Sequence, residues 1–267
     1  MSYLTEILKP INRDVYSAHR EIFDDTRELI LFSDIVIDTL QKAEIKAESL
    51  KAFEIFIGYC FFRTTEHGIS LWLLASAGKR IDASIIFRAV SEITIKFHYV
   101  IQDDGTKKQE LAQDYLEYNL FEYKKGYEKA LKICLKRNNK SMAADFEKRI
   151  GELKSQIGDR KKKDYWATRR IIDLACEIGM EDYYQHVFAF YSDVIHFNPR
   201  QIKEYFNQDK LRWTLRPSTE KLDQVLVAFY DSYLQILKAV ADTFIKHPFK
   251  KFGEFENKLK YYMNVEG

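Results

Sequence analysis

The sequence predicts an all-α protein: a multi-helix bundle of seven to nine helices with a basic antiparallel helical arm. Three observations predict it. Glycine (10) and proline (4) are scarce in 267 residues, against average usage of roughly 7% and 5%, and tight turns consume both. No proline lies between Pro10 and Pro199, which leaves room for long unbroken helices. Apolar residues recur at three- and four-residue steps along most of the chain, the period of a helix with one buried face. Hydrophobic residues at 46% and aromatics at 15% supply a packed core and exclude a disordered chain.

Ile22, Leu29, Ile35, Ile37 and Leu40 place a helix within 11–43. A second spans about 48–76 and a third about 82–102, with Gly78 as C-cap of one and Asp82 as N-cap of the next. Gly58 and Gly68 fall inside the second helix, where glycine costs about 1 kcal/mol relative to alanine. Close contact with a neighbouring helix would justify that cost, and chance placement would serve as well. Asp103–Thr106 opens a long helix to about Arg137, striped by Leu120, Tyr123, Tyr127, Leu131 and Cys134. Asn138–Ser141 opens the next, with Met142, Phe146, Ile150, Leu153 and Ile157 on one face. These two form the arm. Helices at 167–178 and 180–196 follow, broken at Gly179 and stopped by Pro199. Leu211–Arg216 alternates and reads as extended, and Ser218 or Thr219 caps a helix to about Lys246. His247-Pro248 ends it before a short amphipathic tail. The chain reads as one helical domain over 1–267, with its core in about 45–105 and 167–246 and its arm in about 106–166.

Net charge is +2, so the chain as a whole is no polycation. Cys60, Cys134 and Cys176 are scattered, without a paired framework, and read as reduced thiols. The N-terminus lacks the order of a signal peptide, and the richest apolar stretch (69–78) is far short of the ~20 residues of a membrane span. A cytoplasmic protein with no membrane partner is expected.

Two polar pairs at i,i+4 spacing carry the chemistry. Arg88 and Glu92 lie in a strongly apolar helix, and Ser192 and His196 lie in another. Such groups are costly to bury unless they meet partners. Arg88, Glu92 and Lys96 fall on one line, which is either an intrahelical charge ladder or a cleft in which Arg88 meets a phosphate or carboxylate. His196 either serves the dipole at a helix C-terminus or acts as general acid–base beside Ser192. Arg63 and His67, next to Glu66, repeat the spacing on a third helix. No HExxH motif or Cys/His cluster supports a metal site, and no cofactor is expected.

Basic charge is uneven. From Lys124 to Arg170 there are 16 Lys/Arg against 6 Asp/Glu, a net +10 that leaves −8 for the remainder. Lys161, Lys162, Lys163, Arg169 and Arg170 crowd beside Tyr165 and Trp166, a pattern suited to nucleic-acid phosphates or to a merely solvated surface.

An apolar helix with Arg88-x3-Glu92, followed by Tyr191-Ser192-x3-His196 and a final long helix, resembles a bacterial all-helical family of unknown function over roughly 45–245. The resemblance implies an all-α fold with a polar cleft, and a weak link to defence or toxin systems. Arg13-Asp-Val-Tyr-Ser-Ala-His19 distantly resembles the Arg/His motif of HEPN ribonucleases. Two functions are carried forward. One is a nucleic-acid-directed effector, a metal-independent ribonuclease with Arg88, Glu92, Ser192 and His196 as its centre and the basic arm as its binding surface. The other is a non-catalytic interaction protein, a homo-oligomer or a partner of another protein.

Overall fold

The computed structural model describes residues 3–42, 49–102, 105–160, 166–189, 206–207, 212–213, 217–245 and 249–264. It is all-α, as the spacing predicts. In chain order the helices are α1 (Tyr3–Ile7), α2 (Arg13–Ala18), α3 (Arg20–Lys42), α4 (Ala52–Ser76), α5 (Arg80–Ile101), α6 (Lys107–Lys136), α7 (Lys140–Ile157), α8 (Ile171–Glu177), α9 (Glu181–Tyr183), α10 (Leu222–Phe244) and α11 (Lys251–Asn264). A π-helical stretch, Tyr184–Ala189, continues α9, and the second half of the helix expected over 180–196 lies outside the described residues. Phe206–Asn207 and Arg212–Trp213 pair as a two-residue antiparallel ladder.

The chain divides into two compact units. The first comprises Met1–Leu50, Ile57–Tyr99 and Ile171–Gly267. Its centre is α10, whose Leu222, Val225, Leu226, Phe229, Tyr233, Ile236 and Leu237 are buried. Two of the unit's large buried side chains find polar partners, as low-dielectric surroundings favour, whereas the buried Thr26 and Thr64 hydroxyls have none among the described residues. Trp72 Nε1 donates to the Phe23 carbonyl at 3.0 Å, and the Tyr233 hydroxyl lies 2.8 Å from Thr65 Oγ1. Phe32 of α3 meets Phe252 and Phe255 of α11 edge to face at 5.6 and 5.4 Å. Lys258 of α11 bridges Asp25 (2.7 Å) and Glu28 (2.6 Å) of α3.

Of the two glycines inside α4, only Gly68 marks a close approach. A Cβ there would stand 2.3 Å from the Phe229 ring, whereas one at Gly58 would meet nothing within 4 Å. Gly78 caps α4 with φ +73, and Pro217 packs against it while Ser218 N donates to the Gly78 carbonyl at 3.0 Å. That strap accompanies a displaced boundary: Pro217 and Ser218 are held against Gly78, and α10 begins at Leu222 rather than after Ser218. Asp82 is not a cap either, since α5 starts at Arg80 and places Asp82 in its first turn, where a carboxylate favours the helix dipole.

The second unit comprises Lys51–Phe56 and Val100–Arg170. Its helices α6 and α7 form an antiparallel hairpin around Asn139, whose side chain accepts from Met142 N at 3.2 Å as an N-cap. Ala143, Ile150 and Ile157 are the buried row of α7; that seven-residue spacing turns Met142 outward, 47% exposed. Tyr123, expected in the stripe of α6, is 61% exposed, with a hydroxyl that tolerates water. Trp166 closes the base of the hairpin, stacked on Tyr115 at 5.7 Å and donating to the Leu111 carbonyl at 2.8 Å.

Candidate functional site

On α5, Ala83, Phe87, Val90, Ile95 and Phe97 are buried, which leaves Arg88, Glu92 and Lys96 along the edge of the buried face. Glu92 accepts from both cations: Lys96 Nζ at 2.6 Å and Arg88 Nη1 at 3.5 Å. The Arg88 guanidinium also sits 4.6 Å from the centroid of the Phe188 ring, an attractive cation–π geometry. The ladder reading is therefore realised, and the Arg88 bond to Glu92 is the looser of the two. Ser192 and His196 lie outside the described residues, so their approach to Arg88 is not part of this geometry.

The third pair faces the surface. Arg63 bonds Glu66 at 3.1 Å, with 48% of the Arg63 side chain and 69% of the Glu66 side chain exposed. His67 beside them is half-buried, and burial followed by the Arg63 charge lowers its pKa while Glu66 opposes. Among the described residues no group of three His, Cys, Asp or Glu is placed to hold a metal ion. Cys60, Cys134 and Cys176 are free thiols, and burial pushes the Cys60 thiol far above its usual range. Arg13 is exposed on α2, and His19 ends that helix with Nε2 2.7 Å from the Thr219 carbonyl.

A polar layer between α5, α9 and α10 escaped the sequence reading. The Tyr183 hydroxyl lies 3.1 Å from Ser232 Oγ and also reaches Ser91 and Thr94, while burial raises its pKa. One turn away, Gln235 Nε2 donates to Asp231 Oδ1 at 2.7 Å. Burial raises the Asp231 pKa against the opposing pull of Gln235 and His98. Burial lowers that of His98 against Gln235 and Asp231. The signal was present: Ser91, Thr94 and His98 interrupt one apolar helix at helical spacing, and Asp231, Ser232 and Gln235 interrupt another.

Of the described lysines and arginines from Lys124 to Arg170, all but Lys124 are exposed, Arg169 and Arg170 included. Lys161, Lys162 and Lys163 lie outside the described residues. Arg149 donates to the Tyr127 hydroxyl at 3.3 Å with its guanidinium 5.7 Å from the ring. Three cations are partly offset by acids of α6: Arg160 by Glu117, Lys124 by Glu128 and Lys125 by Glu122. No described helix is long and apolar enough to cross a membrane.

The model of a family of unknown function, DUF5677, matches residues 54–211, a span that contains Arg88, Glu92, Ser192 and His196 and leaves out Arg13 and His19. No curated protein and no solved structure matches the chain.

Proposed function

The chain belongs to the DUF5677 family, and we propose that it is a nucleic-acid-directed effector, a metal-independent ribonuclease acting in bacterial defence. The observation that carries this reading is the exposed basic surface of the second unit, with Arg149 laid on Tyr127. Such a surface suits a phosphate backbone, because each neutralised phosphate releases counterions. Lys161, Lys162, Lys163, Arg169 and Arg170 would take the strand. Arg88 would hold the phosphate under attack and His196 would move the proton, with Glu92 and Ser192 orienting them. Purified protein incubated with total RNA should cleave it, and His196→Ala should not; intact RNA with both proteins would reject the enzyme. Replacing Lys161, Lys162 and Lys163 with Glu should abolish salt-sensitive binding of a labelled oligonucleotide, and unchanged binding would reject the surface.

The Arg88–Glu92–Lys96 ladder favours a second reading, a non-catalytic interaction protein that assembles through its helical faces. In that case the polar pairs fix helix register, and His196→Ala lowers stability by about 3–5 kcal/mol by stranding a buried partner. Light scattering coupled to gel filtration would then report an oligomer, whereas the catalytic reading expects little change in Tm for the same variant.

A further inference from the structure

A cleft of about 940 Å³ opens in the first unit, lined by the α2–α3 junction, α9, one face of α10 and the end of α11. Its size falls within the range of small-molecule sites. Along α10 the lining runs Asp223, Gln224, Val227, Ala228, Asp231, a carboxylate at each end with one amide and two apolar side chains between. Eight residues of helix set the backbones of Asp223 and Asp231 about 12 Å apart along the helix axis. Three tyrosines, Tyr183, Tyr261 and Tyr262, also line the cleft. The Tyr262 ring is fixed by its hydroxyl, which donates to Asp25 Oδ2 at 2.6 Å, and Tyr261 packs against it at 5.4 Å.

We propose that this cleft binds an organic polycation of the polyamine class, its ammonium groups at Asp223 and Asp231 and its methylene chain over Val227 and Ala228. Charge favours a cation: Glu21, Asp223 and Asp231 face the cleft against Arg20 and Lys221, and Arg20 is already paired with Asp24. Asp231 has no ion-pair partner among the described residues; its hydrogen bond comes from the neutral amide of Gln235. A half-buried carboxylate in that position gains from a ligand cation what its own protein does not supply. Tyrosine rings in the lining are of the type that attracts an ammonium group. His19 and His186 each place one ring nitrogen beside a backbone carbonyl, of Thr219 (2.7 Å) and Asp182 (3.0 Å). A carbonyl oxygen only accepts, so each of those nitrogens carries the hydrogen of the bond.

The site is independent of the ribonuclease reading, and calorimetric titration with spermidine tests it alone. Saturable one-to-one binding is expected, surviving a matched ionic strength of sodium chloride and not reproduced by magnesium chloride. Asp223→Asn and Asp231→Asn should each weaken it at least roughly tenfold, while Asp145→Asn on α7, remote in sequence and exposed, should leave it unchanged. Circular dichroism checks folding. If Asp231→Asn fails to fold, Asp223→Asn and Tyr261→Ala decide. Binding that does not saturate, that magnesium matches, or that persists unchanged in the folded variants overturns the proposal.

Discussion

Gly68 shows how much one missing methyl can matter. The Phe229 ring that a Cβ would strike is fully buried and stacked on Tyr233 at 5.4 Å, so it has no cheap way to yield. Overpacking costs about 1–3 kcal/mol, which outweighs the gain of up to about 1 kcal/mol in helix propensity. Gly68→Ala is therefore expected to lower the urea midpoint and Gly58→Ala, in open space, to raise it; the reverse order would contradict the packing. Titration gives a second expectation at this scale. His98 and His67 have folded-state pKa values below the ordinary 6.5, so the unfolded chain takes up protons first as pH falls. Their contribution is fully present above about pH 6.5 and is lost as pH drops toward the folded values. Asp231, raised from 3.8, has the opposite sign: stability falls as pH rises from about 3.8 and levels off above the folded value. Urea midpoints between pH 7.5 and 5.5 should thus decline on acidification, and His98→Gln should flatten the decline without removing the part due to His67. An unaltered slope in His98→Gln would count against a buried neutral His98.

At the scale of elements, α11 offers a comparison between apolar and ionic docking. Phe255 is fully buried against Phe32 and Tyr230, whereas Lys258 is a third exposed while bridging Asp25 and Glu28. Phe255→Ala should cost about 3–5 kcal/mol through lost transfer and the cavity left behind. Lys258→Ala should cost about 1 kcal/mol or less, because solvent screens the pair. Equal losses in chemical denaturation would mean that the ionic bridge is less screened than its exposure suggests. Helix boundaries show the limit of local signals. Ser218 has the residue type of a cap and its Oγ accepts from Glu220 N at 3.3 Å, yet its backbone is tied to Gly78, 140 positions earlier in the chain, and α10 starts only at Leu222.

For the whole molecule, the two units differ in how much they bury. The first fully buries the aromatic side chains of Phe23, Phe61, Trp72, Phe229 and Tyr233. The α6–α7 hairpin buries chiefly Ala112, Cys134, Ala143, Ile150 and Ile157. Local stability follows buried apolar contact, so amides of α10 should exchange slowest with deuterium and those of α7 well before them. Uniform protection would show one cooperative block instead. The sequence by itself determined the helices, the turn at Gly78, the shared line of Arg88, Glu92 and Lys96 and the concentration of basic residues from Lys124 to Arg170, because all of these depend on residues within a few turns of one another. Tertiary structure decided which glycine touches a neighbour, the Tyr183–Ser232 contact beside Asp231, and the cleft where residues near 20, 185, 225 and 262 meet. A helical period fixes which residues share a face, but it carries no information on which faces come together.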